Sequence, residues 1–304
     1  MTLPTPPRFV CAGSIFIDDI VFPDGRTQME VLGGGGTHAC SGMVIWGERP
    51  GLYACVGQGL PESARTRIWR DYDTRGVIEL ALPQARAWQI FEWDGKRTEI
   101  FRMEIMEPFI HDPQAEDASP AFDGAEAVYV LRDGQNFLRW RERHPNAIML
   151  WEPDQPYMAA ENCAEFRAIA RHAEIVSPNL VEARLLYAIE DPILLIRQML
   201  ADGAKVAVLR MGEAGSLAGT GDQILKCPAI PVPEVIDVTG AGNTFCGGFH
   251  VGWVRTGDLR QALAYGAVAG SFSIETIGVL DPTTVDPAER DRRLAWALEA
   301  ITPI

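Results

Sequence analysis

Lysine is scarce in this chain: of 27 basic residues only Lys96, Lys205 and Lys226 are lysines, and 41 acidic residues leave a net charge of −14. Nucleic acid and anionic membranes are bound through an excess of Lys and Arg, so neither is an expected partner. Any phosphate contact must come from Arg, backbone amides and a metal. No apolar run approaches the roughly 18 residues needed to span a bilayer. The opening residues, Met1 to Pro7, have neither a basic n-region nor an apolar h-region, so no secretory signal and a cytoplasmic location are expected. The six cysteines include no C-x-x-C pair, and Cys11, Cys55 and Cys246 sit inside apolar runs. That pattern fits buried thiols in a reducing compartment better than disulfides or a metal site. Two phosphate motifs are also missing. Without G-x-x-x-x-G-K-S/T a P-loop is excluded, and without G-x-G-x-x-G after the first strand a Rossmann-type dehydrogenase is disfavoured.

What is present is a chain of 304 residues, 47% hydrophobic, enough for one large α/β domain with a full core. Phe9 to Ile15 reads as a buried strand ending in small residues. Ile20 to Phe22 and Thr27 to Leu32 are short extended pieces around a Pro23-Asp24-Gly25 turn. The Gly33 to Gly36 run leads into a helix over Thr37 to Gly47, followed by a strand over Leu52 to Val56. Pro61 to Arg75 is a helix with proline at its first position. Ala87 to Phe101 is a hairpin whose Asp94-Gly95 pair supplies a type I′ turn. Its aromatics fall on both faces, as in a small sheet covered on both sides.

From Ala125 onward short apolar runs alternate with helical patterns. Val128 to Leu131, Ala147 to Trp151, Glu174 to Ser177 and Lys205 to Arg210 are the strands. Gly134 to Arg143, Ala159 to His172, Val181 to Ala188 and Pro192 to Ala201 are the helices. This alternation implies βαβ units and a parallel sheet. Three further helices, Ala241 to Arg255, Leu259 to Ile277 and Pro287 to Ile301, close the chain. The early extended pieces and the hairpin, about 20–32 and 87–104, are expected to form a β lid over the C-terminal edge of the sheet, where open α/β folds place their ligands.

The most informative stretch is Asp237-Val238-Thr239-Gly240-Ala241-Gly242-Asn243. A Gly-Ala-Gly turn at a helix start lets successive backbone N–H groups converge on an anion, aided by the helix dipole. The stretch resembles the D-T-x-G-A-G-D signature of the ribokinase-like (PfkB) family of carbohydrate and nucleoside kinases, and the resemblance extends from Gly13 to the last helices. It implies a single ribokinase-like domain over residues 1–304, with a central, mostly parallel sheet flanked by helices and a small β lid. It also implies ATP and Mg2+ as cofactors and phosphorylation of a hydroxyl on a sugar-like small molecule. Gly240, Ala241 and Gly242 would cradle the transferring phosphoryl group, with Asp237 and Thr239 on the nucleotide side. Two positions depart from the signature. Val238 replaces the usual Thr, and Asn243 stands where the family has the aspartate that takes the proton from the substrate hydroxyl.

Other segments fit the same resemblance. Asp18 follows the first strand, where the family binds substrate hydroxyls with an aspartate, although an acidic pair there also commonly opens a turn. Gly35, Gly36 and His38 occupy the G-G-x-x-x-N segment, with His in place of Asn; His has a different reach and can carry a charge. Asn179 and Glu182 form an N-x-x-E pair, whose Glu in the family acts on Mg2+ through water, though the pair could equally cap a helix. Arg210, Gly212 and Gly215 resemble the nucleotide-side G-x-x-G turn, which any glycine turn between strands would also match. Asn243 cannot take a proton, so the alternative to a kinase is a catalytically silent relative acting as a ligand-binding sensor. If only the base is missing, Asn243→Asp should raise kinase activity by orders of magnitude. Exposed lid aromatics would form an apolar patch, and a lid-mediated homodimer is the corresponding hypothesis.

Overall fold

The computed structural model describes residues 5–93 and 97–304. The chain begins with β1 (Phe9–Ala12), β2 (Phe16–Val21), β3 (Thr27–Gly33) and α1 (Gly35–Val44). Next come β4 (Gly51–Gln58), α2 (Glu62–Asp71), β5 (Val77–Pro83), β6 (Arg86–Phe91), β7 (Arg97–Phe101) and α3 (Glu107–His111). The alternating region is β8 (Ala127–Arg132), α4 (Gly134–Arg143), β9 (Ile148–Pro153), α5 (Cys163–Ala170), β10 (Ile175–Val176), α6 (Leu180–Tyr187), α7 (Pro192–Ala201) and β11 (Val206–Arg210). It ends in β12 (Ser216–Gly219), β13 (Ile224–Cys227), α8 (Ala241–Thr256), α9 (Leu259–Ser273), α10 (Pro287–Ala300) and β14 (Thr302–Pro303).

A ten-stranded sheet has the order β14-β13-β12-β11-β10-β9-β8-β1-β4-β5. The strands from β11 across to β5 run parallel, and β12, β13 and β14 are added antiparallel. Period-two alternation with both faces apolar gives this sheet two cores. Along β1, Phe9 and Cys11 enter the core built with α1, α2, α8, α9 and α10. Val10 and Ala12 enter the opposite core, with α4, α5, α6 and α7. The result is a three-layer α/β/α arrangement.

A second sheet, β3-β2-β6-β7, forms the lid. Its aromatics are only partly covered, contrary to the expectation of a sheet sheltered on both sides: Arg102 lies over the Trp88 ring at 4.6 Å and Phe101 meets Phe16 edge-on at 6.0 Å, but Phe101 stays exposed. The Asp94-Gly95 turn lies outside the described residues.

Several boundaries differ from expectation, each for a local reason. β2 starts at Phe16, so Asp18 and Asp19 lie within a strand rather than in a turn. Their opposite faces suit them: Asp18 looks into the cleft, while Asp19 is paired with Arg86 at 2.7 Å and with Arg102. α1 begins inside the glycine run because Ser14 accepts the amides of Gly35 and Gly36 and so caps the helix early. The helix from Pro61 stops at Asp71, since Asp73 starts a separate turn that caps the amide of Arg75. Over 159–172, one 3-10 turn precedes the shorter α5. β5 and α3 carry no pattern strong enough to announce them. Among the described residues, no helix is long and apolar enough to cross a membrane.

Candidate functional site

The C-terminal ends of β8 to β11 open into a cleft of about 1480 Å³ between the main sheet and the lid. Ligand pockets are commonly roughly 300–1,000 Å³, so there is room for two small molecules. Strand parity determines which side chains reach it. Tyr129, Leu150, Val206 and Val208 face the α8 side, so two residues beyond Leu150 and Val208 the same face carries Glu152 and Arg210.

Under the lid the cleft is lined by Ser14, Asp18, Gly35 and His38 from the first third of the chain and by Gln89, Arg97 and Glu99 from the lid. Asp18 is 3% exposed. Its Oδ1 accepts a bond from Gln89 Nε2 at 3.0 Å, and the same amide donates to Glu99 at 2.7 Å. Burial pushes the Asp18 carboxyl up to about 7, outweighing the lowering effect of the Gln89 bond. His38 is buried with both ring nitrogens unpartnered among the described residues. Desolvation, with Arg67 and Arg97 adding to it, pulls the ring down to about 3, so it is neutral near pH 7 rather than a charged group. Gly36 does not line the cleft and instead packs against the Gly13 backbone.

The turn into α8 adjoins these residues, with Arg97 Nη1 donating to Thr239 Oγ1 at 3.4 Å. Gly240 has φ 68, and a Cβ there would come within 2.2 Å of the His38 ring. A Cβ on Gly242 would sit 2.1 Å from Arg210 Nη1. The two glycines are therefore needed for His38 and Arg210 to approach, in addition to any ligand. Asp237 spends its carboxylate on the amides of Thr239 (2.8 Å) and Gly278 (3.1 Å) and is not part of the cleft wall. It shapes the turn; the cleft receives Thr239, Gly240, Ala241, Gly242 and Asn243. The amides of Gly242 and Asn243 have no acceptor among the described residues, as the first turn of a helix leaves them. Gly212 and Gly215, both at positive φ, form the short turn from β11 to β12 on the same wall. Pro228 to Val232 continue it with apolar surface.

Beside this turn sits a polar network. Asn179 and Glu182 form a full capping box at the start of α6, Glu182 N to Asn179 Oδ1 at 2.9 Å and Asn179 N to Glu182 Oε2 at 2.8 Å. Both line the cleft, so the pair caps α6 and faces the cleft at once. Burial raises the Glu182 carboxyl, and Arg210 partly offsets this. Arg210 Nη1 pairs with Glu152 Oε1 at 2.6 Å, and its Nη2 reaches Glu182 Oε2 at 3.8 Å. Glu152 Oε2 accepts the Tyr129 hydroxyl at 2.6 Å, while Asn243 Nδ2 donates to Glu152 Oε1 at 3.1 Å.

Glu152, Tyr129 and Gln89 were not singled out from the sequence. The available signal was an acid closing the apolar run Ile148-Met149-Leu150-Trp151, at the strand end where α/β folds gather ligands.

Comparison with known proteins adds the following. A model described as pfkB family carbohydrate kinase matches residues 151–285. A cytidine kinase of Thermococcus kodakarensis is 26% identical over 262 residues, covering 84% of this chain and 92% of its own. A putative ribokinase II from E. coli, solved in complex with ATP and Mg2+, superposes with a TM-score of 0.79 at 18% identity over 95% of this chain and 99% of its own. A Burkholderia thailandensis nucleoside kinase solved with inosine gives 0.76 at 20% identity, over 95% and 97%. At such identities the structural likeness shows the fold.

Proposed function

We propose that this chain, which has the ribokinase-like fold and matches the pfkB family carbohydrate kinase model over residues 151–285, transfers the γ-phosphoryl group of ATP to a hydroxyl of a sugar or sugar-bearing substrate. The observation that carries this reading is one cleft that holds a desolvated carboxyl group, Asp18, under the lid and an uncapped glycine-rich helix start, Gly240 to Asn243, whose Gly240 packs on the His38 ring. A buried carboxylate with an open acceptor position suits hydroxyl recognition. Free first-turn amides suit an anion.

Asp18, Gly35 and His38 hold the acceptor, with Gln89 fixing the Asp18 carboxylate. The amides of Gly242 and Asn243 orient the transferring phosphoryl group, and Arg210, Gly212, Gly215 and Thr239 border the nucleotide. The residues fit a hydrated magnesium ion. Glu182 keeps Oε1 without a hydrogen-bond partner among the described residues, and no group of three or more His, Cys, Asp or Glu there forms a cage. Mg2+ usually keeps several waters and is held by one or two carboxylates plus substrate phosphates. Asn179 and Glu182 would hold it, and when bound it would neutralise phosphate charge.

Asn243 favours the second reading, a sensor that binds without turnover. Calorimetric titration with Mg·ATP, followed by an ADP-release screen over sugars and nucleosides, separates the two. Saturable binding with acceptor-dependent ADP release is expected. Binding without release would favour the sensor, and no nucleotide binding would overturn both.

A further inference from the structure

Residue 243 has a partner that makes asparagine the fitting side chain. Glu152 is 4% exposed at the end of β9 and forms part of the cleft wall. Its Oε1 accepts from Arg210 and from the Asn243 amide, and its Oε2 accepts from the Tyr129 hydroxyl. Two carboxylate oxygens offer about four acceptor directions, so one on Oε2 is open. The bond from Asn243 requires a proton on residue 243. An ionised aspartate has none, and it would set two carboxylates about 3 Å apart, an arrangement that disfavours ionisation of both. The pair therefore carries one negative charge, borne by the sheet rather than by the helix.

We propose that Glu152 is the proton acceptor of the phosphoryl transfer and that Asn243 is its positioning residue, an inference that rests on the kinase reading above. In the step, the acceptor oxygen forms a bond to the γ-phosphorus while its proton passes to Glu152 Oε2. The bond from that phosphorus to the bridging oxygen breaks, and its electron pair leaves with the nucleoside diphosphate. Glu152 then returns the proton to water. Tyr129 and Arg210 hold the carboxylate in place, and the loose transition state places most of the remaining demand on positioning.

The test is a charge swap. Glu152→Gln, which is isosteric, should lower kcat by about 10² to 10⁴, the usual worth of a general base, with Mg·ATP affinity unchanged by calorimetry. Asn243→Asp alone should also lose activity, contrary to the gain expected from the signature alone. The double variant Glu152→Gln/Asn243→Asp restores one carboxylate and one carboxamide and should regain much of the rate, which a merely structural role for Glu152 would not produce. A readout independent of turnover is stability. Relative to wild type at each pH, Asn243→Asp should lose more melting temperature at neutral than at mildly acidic pH, and adding Glu152→Gln should remove that extra loss. The charged or titratable groups facing the pair are Tyr129 from β8, Arg210 from β11, Cys246 from α8 and Glu182 from α6, and all are common to the variants. If wild type releases ADP and Glu152→Gln matches it, or Asn243→Asp exceeds it, the proposal fails while the kinase reading stands. If wild type binds Mg·ATP but releases no ADP with any acceptor, the kinase reading fails and takes the proposal with it.

Discussion

Replacing Asp18 with asparagine should remove a pH-dependent cost to the fold. Burial drives the Asp18 carboxyl from 3.8 to about 7, and Glu99 and Asp237 add to the rise. Between those values the folded protein keeps a proton that the unfolded chain has released, so stability falls from about pH 4 to about pH 7 and is level above. At about 1.4 kcal/mol per tenfold change in proton affinity, the cost at about pH 8 is on the order of 4 kcal/mol. Asparagine has the same shape, still accepts from Gln89 Nε2 and is never charged. The wild-type profile alone would hide the effect, because buried imidazoles slope the other way. Burial pulls His38 down to about 3, and His144 and His250 to about 4. For each ring the unfolded chain takes up a proton that the folded one refuses, so stability rises with pH up to about 6.5. Those contributions are shared and cancel in the difference between the two proteins. Urea unfolding at several pH values should show the variant gaining on wild type steadily from about pH 4 to about pH 7, then holding its lead. A difference independent of pH, or one that shrinks as pH rises, would refute the desolvation argument.

Two other outcomes follow from the geometry. Gly240→Ala places a methyl group against the His38 ring in a left-handed conformation, at a cost of about 1–2 kcal/mol for the backbone and about 1–3 for overpacking. Its melting temperature should drop and calorimetry should show weakened Mg·ATP binding; wild-type values for both would contradict the account of that turn. The lid leaves Trp93 81% and Ile100 47% exposed beside β7, an edge strand among the described residues. We propose that this edge of the lid mediates a homodimer, so sedimentation at micromolar concentration should show dimer, and monomer alone would dismiss the idea.

Much of the architecture was legible because it is written in local patterns. The apolar runs of Val128 to Leu131 and Lys205 to Arg210 are too short for helices and are spaced by amphipathic segments, which forces strands into the middle layer. The bounds of α4 and α7 agree with expectation because Asp133 and Asp191 cap them. β5 was not legible, since it is a half-exposed edge strand without clean alternation. Neither was the strand position of Asp18 and Asp19, because two adjacent acids in a strand make sense only once one of them has Arg86 and Arg102 to meet.

The sequence by itself determined the layers, the order of the elements and the small-residue turn that opens α8, because periodicity and turn chemistry act over a few residues. It also identified the departure at Asn243. Only the tertiary structure shows what surrounds residue 243. Tyr129, Glu152, Arg210 and Asn243 come from four elements spread over more than a hundred residues, and it is strand parity and register that bring them within hydrogen-bonding distance. In the same way, His38 reads as a possible cation until the fold closes Gly240 over its ring and removes the water that a charge would need.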